Sequence, residues 1–293
     1  MKILNYGSMN LDHVYAVPHF VSPGETILAM NNELFCGGKG LNQSMAVAKA
    51  GGVIYHAGIV GDDGNVMIDM LQKNGVDVSL IRKGSGPSSH TVIQVDPAGQ
   101  NSIIVYSGEN MRLSDKDMDE ILDGFAAGDL IMLQNELYGS PQMMEKAAEK
   151  GLTVILNPSP ADSRIMDYPL DRVDWFILNE IEGALLTGEE KPEKILDKFR
   201  VIYPTSSVVL TLGEDGAYLQ TKDLRMHQPA FKVHAVDTTA AGDTFTGYFI
   251  AGLAEGLPYE KIMKRAALAS SIAVSRRGAA DSVPLKAEVD QAE

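Results

Sequence analysis

Val236-Asp237-Thr238-Thr239-Ala240-Ala241-Gly242-Asp243-Thr244-Phe245 leads through a turn of small residues into a helix. Phe245, Phe249 and Leu253 mark that helix, recurring at the spacing of one apolar face. Ala240, Ala241 and Gly242 carry little or no side chain, so a ligand can approach their backbone closely. Their amides fall at a helix N-terminus, where unpaired N–H groups and the helix dipole favour an anion. Asp243 sits in the first turn, where a carboxylate stabilises any helix. Beside an anion-binding turn it gains a second meaning. Phosphoryl transfer needs amides that neutralise the moving group and a carboxylate that accepts the hydroxyl proton.

Upstream of this turn, short apolar runs alternate with helical patterns. Residues 53–59, 129–134, 153–156, 175–178 and 208–212 read as buried strands. Val66, Ile68, Met70 and Leu71 give residues 65–74 a helical spacing, and Ser140-Pro141 caps a further helix that Gly151 ends. The alternation predicts an α/β fold, a mainly parallel central sheet with helices on both faces. Two stretches break the pattern. Residues 12–36 hold two extended runs around Ser22-Pro23-Gly24, and residues 90–107 read as a hairpin turning at Asp96-Pro97-Ala98-Gly99. Together they predict a small projecting β-sheet lid. No linker or low-complexity run divides the chain, so 1–293 is read as a single domain with the lid inserted in it.

Bulk properties narrow the partners. A formal charge of −14 over 293 residues argues against nucleic acid or an anionic membrane surface. It leaves a phosphate ligand open, because a few amides and one or two cations suffice locally. Cys36 is the single cysteine, which excludes an intrachain disulfide and a cysteine-based zinc site. The start reads as a strand, and no apolar run approaches membrane-spanning length, so the expectation is a cytoplasmic protein. The lid edge invites pairing of two lids into a homodimer. Met132, Met143 and Met144 read as core.

Four further segments can carry chemistry. Gly37-Gly38-Lys39-Gly40-Leu41-Asn42-Gln43 opens a helix but lacks the order of a P-loop; its glycines let hydroxyls meet the backbone, and Asn42 adds a hydrogen-bonding side chain. Asn10-Leu11-Asp12 is placed at the end of the first strand, with Asn10 and Asp12 on one side, where α/β sheets bind ligands; a capped turn is the other reading. In Asn179-Glu180-Ile181-Glu182 the two ends share a helical face and can organise a hydrated magnesium ion, or form an ordinary acidic first turn. Thr211-Leu212-Gly213-Glu214-Asp215-Gly216 is a strand with a tight turn.

In this order the segments resemble the ribokinase family of carbohydrate kinases, from Asn5 to Pro284. Gly37 to Asn42 resembles the family's N-terminal glycine-rich signature, and Asp237 to Phe245 its highly specific C-terminal one. The resemblance implies transfer of the γ-phosphate of ATP to the hydroxymethyl oxygen of a small sugar, with ribose the first candidate. It implies Asp243 as base and Ala240, Ala241 and Gly242 as anion hole. Asn10, Asp12, Gly38, Lys39, Gly40, Asn42 and Glu136 would hold the sugar. Asn179, Thr211, Gly213, Gly216 and Gly242 would meet the nucleotide, with Glu182 acting on Mg2+ through water. The family's activating K+ would lie between Asp237 and Thr239 on one side and Ala273, Arg276, Gly278 and Ser282 on the other. Cys36, Leu41, the Asn135-Glu136-Leu137 segment and Ala267 depart from the family pattern, and they bear on which sugar is used.

Other readings stay open on the residues. A dinucleotide-dependent dehydrogenase would want a glycine fingerprint after the first strand, where Tyr6-Gly7-Ser8-Met9-Asn10 supplies one glycine. A kinase for another pentose, a ketose or a nucleoside is the nearer rival, and a sugar sensor without catalysis would have had no need to keep Asp243.

Overall fold

A computed structural model of the chain describes residues 1–293. In β1 (Ile3–Tyr6) every residue is buried. Ile3 enters one apolar cluster, and Leu4 and Tyr6 enter another. That is the period-two alternation of a strand covered on both faces.

The chain then leaves the main sheet for β2 (Asn10–Ala16) and β3 (Asn31–Gly37), and Gly38 leads directly into α1 (Lys39–Lys49). β4 (Ile54–Val60), α2 (Asn65–Lys73) and β5 (Asp77–Lys83) follow, then the hairpin of β6 (Ser89–Val95) and β7 (Asn101–Tyr106). Next come α3 (Asp115–Leu122), β8 (Leu130–Gln134), α4 (Ser140–Glu149), β9 (Thr153–Asn157), β10 (Trp175–Asn179), α5 (Glu180–Thr187) and α6 (Pro192–Ile202). The last third holds β11 (Ser207–Thr211), β12 (Ala217–Gln220), β13 (Arg225–Gln228), α7 (Ala241–Glu255), α8 (Tyr259–Val274) and α9 (Lys286–Ala292).

Nine strands form the main sheet in the order β13-β12-β11-β10-β9-β8-β1-β4-β5. All neighbours are parallel except at β12, which is antiparallel to both β11 and β13. One face packs against α1, α2, α7, α8 and α9, and the other against α3, α4, α5 and α6. Met132, Met143 and Met144 are core residues, as expected. The small sheet has the order β3-β2-β6-β7. β2 runs antiparallel to β3 and parallel to β6, and β6 and β7 form the hairpin read from the sequence. In its turn the Gly99 amide donates to the Asp96 carbonyl at 2.9 Å.

Three local expectations are corrected. Asn10 and Asp12 do not end the first strand. The chain breaks at Gly7 to Met9, and both residues belong to β2 in the small sheet. The small sheet accordingly begins at Asn10 and Ser89, and β3 reaches Gly37. Ser140 is the first helical residue of α4, capped by Gly139 in a left-handed conformation (φ 73°); the Ser140 hydroxyl donates to the Gln134 and Leu137 carbonyls instead.

One contact positions the site. Where α7 crosses α1, a Cβ on Gly247 would lie 2.3 Å from the Ala46 Cβ. Glycine there lets the two helices touch, which brings Asn42 and Gln43 of α1 up to Asp243 of α7.

Candidate active site

α7 starts from a strained residue. Ala240, its N-cap, has φ 60° and is the one non-glycine residue in the left-handed region, a conformation that costs an alanine about 1–2 kcal/mol. Strain of this kind persists where the surroundings over-determine it. The Thr244 amide donates to the Ala240 carbonyl at 2.8 Å and starts the helical ladder. The Ala241 amide is directed at the Thr238 carbonyl at 3.3 Å, whereas the amides of Ala240, Gly242 and Asp243 meet no acceptor. The free amides at this terminus are therefore those three. Gly242 would meet nothing within 4 Å if it carried a Cβ, so it faces open space.

Asp243 is 8% exposed. Its carboxylate Oδ2 accepts from Asn42 Nδ2 at 3.0 Å and its Oδ1 from Gln43 Nε2 at 2.9 Å. It borders a cavity of about 210 Å³ whose wall also includes Lys39, Asn179, Glu182, Thr211 and Ala240 to Gly242. The cavity lies beyond the carboxyl ends of β10 and β11, the expected place for a ligand in such a sheet. Burial works to lower the Lys39 pKa, but Asp243, Glu136 and Glu182 outweigh it and hold the ammonium above its usual value.

Beside Asp243, Glu136 Oε2 accepts from the Lys39 amide at 3.1 Å and from the Ser8 hydroxyl. Burial raises the pKa of Glu136 despite these donors. Asn10 pairs with Gly37 across β2 and β3, and its Oδ1 accepts from Asn110 Nδ2 at 3.0 Å. Asp12 accepts on Oδ1 from Thr91 Oγ1 at 2.7 Å. A Cβ on Gly37 would fall 2.0 Å from Asp12 Oδ2, so glycine leaves that carboxylate its room. Asn42 Oδ1 and Asn110 Oδ1 are buried without a partner. Such an oxygen is costly unless a ligand donates to it, and sugar hydroxyls are suitable donors. Gly38 opens α1 at φ 92°. Gly40 turns into the fold: a Cβ there would lie 2.5 Å from the Gly7 carbonyl carbon, and its own carbonyl accepts from Asn5 Nδ2 at 2.7 Å.

Asn179 and Glu182 are joined as a capping box at the start of α5. Asn179 Oδ1 accepts from the Glu182 amide at 2.9 Å, and Glu182 takes the Asn179 amide on Oε2 at 3.0 Å. With its carboxylate so engaged and lining the cavity, Glu182 suits a hydrated magnesium ion better than a bare one. Gly213 and Gly216 shape the turn after β11, with φ of 53° and 93°, and do not line the cavity.

The two segments expected around a monovalent cation do meet. Asp237 Oδ2 accepts from the Gly278 amide at 3.0 Å and Oδ1 from the Thr239 amide at 2.9 Å. Burial tends to raise the Asp237 pKa, and bonds from Thr239 and Gly278 outweigh it and hold it low. The Ala273 carbonyl takes the Arg276 amide at 3.0 Å, and the Ser282 hydroxyl donates to the Ala279 carbonyl at 2.8 Å. The Arg276 side chain pairs with Glu288. The junction thus holds one carboxylate, a hard oxygen donor of the kind that hard cations take.

Sequence reading missed Ser8, Gln43, Thr91, Asn110 and Gln134 as members of this site. Gln43 had a visible signal, its place next to Asn42 in the glycine-rich segment. Thr91 and Gln134 lie in strands where only pairing reveals what they face.

The sequence profile of the pfkB family of carbohydrate kinases matches residues 1–286. The chain is 34% identical over 291 residues to a ribokinase of Haemophilus influenzae, covering 96% of this chain and 95% of that one. It is 33% identical over 296 residues to a deoxyribokinase of Salmonella typhi, covering 97% and 96%. The structure of Arabidopsis thaliana ribokinase complexed with ribose and ATP superposes with a TM-score of 0.90 at 31% identity, over 99% of this chain and 97% of that one.

Proposed function

The chain belongs to the pfkB family of carbohydrate kinases, and on that premise we propose that it transfers the γ-phosphoryl group of ATP to the hydroxymethyl oxygen of D-ribose, giving ribose 5-phosphate and ADP. The observation that carries the reading is Asp243, whose carboxylate is held by two amide donors at the cavity wall, next to free amides at the start of α7. The ribokinases and the ribose and ATP complex described above give ATP and ribose as its substrates.

Asn10, Asp12, Asn42 and Glu136 bind the sugar and turn its hydroxymethyl group toward Asp243. Asp243 takes the hydroxyl proton as the oxygen bonds to the γ-phosphorus and the bond to the β-phosphate oxygen breaks. Amides of Ala240, Gly242 and Asp243 oppose the charge gathering on the moving group, and Lys39 supplies a further positive charge at the cavity. Thr211 and Asn179 border the nucleotide side. Glu182 would hold magnesium through water; the ion would neutralise phosphate charge. Asp237, with the carbonyls of Thr239, Ala273, Arg276 and Gly278 and the Ser282 hydroxyl, would hold potassium and so fix the peptide planes leading into the anion hole. The small sheet acts as a lid over the sugar. The enzyme works in the cytoplasm, where its nucleotide is supplied.

An ADP-release assay across ribose, 2-deoxyribose, fructose, 2-keto-3-deoxygluconate and nucleosides tests the reading. Ribose should give the highest kcat/KM, and preference for 2-deoxyribose, a ketose or a nucleoside would overturn it. Asp243→Asn should lower turnover by about 10²–10⁴. The same assay should run faster in potassium than in lithium at equal ionic strength; equal rates with potassium-stripped enzyme would remove the cation site.

A further inference from the structure

Asn42 and Gln43, consecutive in α1, each donate to one oxygen of Asp243. Gln43 is fully buried and borders no part of the cavity. Its Nε2 donates to Asp243 Oδ1 at 2.9 Å and to Asn157 Oδ1 at 3.1 Å, and its Oε1 accepts from Gln134 Nε2 at 2.8 Å. Gln134 Nε2 also donates to Asn5 Oδ1 at 3.1 Å. Asn5 Nδ2 serves the Gly40 carbonyl at 2.7 Å and Ser44 Oγ at 2.8 Å. Ser44 Oγ lies 2.7 Å from His56 Nδ1, and His56 Nε2 lies 3.2 Å from the Gly7 carbonyl.

Chemistry fixes the direction of every bond in this chain. A carboxylate only accepts, so Gln43 turns Nε2 toward Asp243 and Oε1 away from it. That oxygen needs a donor, so Gln134 presents its Nε2. Asn5 then gives its protons to Gly40 and Ser44, and Ser44 gives its own to His56 Nδ1. The ring keeps its proton on Nε2, facing the Gly7 carbonyl. Burial pushes the His56 pKa down to about 4, so the ring stays neutral and the pattern holds. The arrangement leaves Gln134 Oε1 buried without a donor, which is destabilising. Apolar side chains would fill this part of the core at less cost. The polar chain instead ends on one oxygen of the base.

We propose that Gln43, aligned by Gln134, is a positioning residue that fixes the plane of the Asp243 carboxylate toward the incoming hydroxyl. This rests on reading Asp243 as the base. Gln134→Glu is the sharpest variant, because it leaves Asn42, Gln43 and Asp243 themselves unchanged. Its carboxylate would draw Gln43 Nε2 to itself and turn Gln43 Oε1 toward Asp243. For Gln134→Glu and for Gln43→Glu we expect kcat to fall about 10- to 100-fold while sugar and ATP KM stay within about threefold. A structural role alone would lower the Tm and leave kcat unchanged. Folded variants that keep kcat within about threefold of wild type would overturn the proposal. Should neither variant fold, wild-type enzyme labelled with 15N-glutamine decides. The Gln43 side-chain amide protons must be protected from solvent exchange and must shift in Asp243→Asn, and a freely exchanging amide overturns the proposal. If wild type phosphorylates no sugar, the base assignment fails while the amide measurement still reports on the contact.

Discussion

Asp12 is carried by β2 and faces Thr91 of β6 across their parallel pairing. Burial raises the pKa of its carboxyl, and the hydrogen bond from Thr91 acts against that rise. Thr91→Val removes the donor at almost constant volume. A hydrogen bond of this kind contributes about 0.5–1.5 kcal/mol net, so sugar KM should rise about 3- to 10-fold at neutral pH with kcat nearly unchanged. The sign of the pH effect follows from the direction of the shift. Without Thr91 the carboxyl rises further, takes up its proton at higher pH, and stops accepting from sugar hydroxyls. The KM gap should therefore widen as pH is lowered from about 8 to about 5. Sugar KM measured across that range checks it, and identical curves for variant and wild type would remove Thr91 from sugar binding.

At the scale of elements, the small sheet is the least finished part of the monomer. Every residue of β7 is exposed, including Ile103, Ile104, Val105 and Tyr106, and Leu34 and Phe35 of β3 are exposed as well. So many exposed large apolar side chains on the two edge strands of one small sheet are uncommon on a protein that stays alone, and an open strand edge adds unpaired backbone groups. We propose that two lids pack together in a homodimer. Sedimentation velocity at micromolar concentration should give a dimer for wild type and a monomer for Ile104→Lys; a monomeric wild type would end the proposal. α7 is finished differently. Its strained Ala240 and its glycine contact with α1 set where Asp243 stands.

For the whole molecule, the buried His56 couples stability to pH. Its ring is fully buried, and its pKa is near 4 against an ordinary 6.5. Between those values the unfolded chain binds the proton and the folded chain does not. Stability therefore falls as pH drops through that window, by up to about 3 kcal/mol. Glu136, Glu182 and Asp174 oppose the trend, since burial raises their pKa values and the folded state holds their protons more readily. The clean measurement is a difference. Urea unfolding of wild type and His56→Gln at pH 7 and pH 5 should show a smaller loss for the variant, which keeps a partner for Ser44 without titrating. Equal losses would show that His56 does not titrate on unfolding.

By itself the sequence determined the α/β class, most strand positions, the hairpin turn at Asp96 to Gly99 and the residues flanking Asp243, because periodicity, turn chemistry and helix starts are local properties. The Gly37 to Asn42 and Asp237 to Phe245 segments were legible for the same reason: small residues and amides act where they stand. Tertiary structure alone decided that Asn10 and Asp12 belong to the small sheet, since a break at Gly7 to Met9 and a run of extended residues look alike until partners are known. It decided which amides at the start of α7 are free, because the Ala241 amide is taken by a turn that only the left-handed Ala240 creates. It also decided the chain from His56 to Asp243. Asn5, Gln43, Ser44, His56, Gln134 and Asp243 come from five separate elements, β1, α1, β4, β8 and α7, and an unpaired polar side chain becomes costly, and so informative, only after folding has removed water from around it.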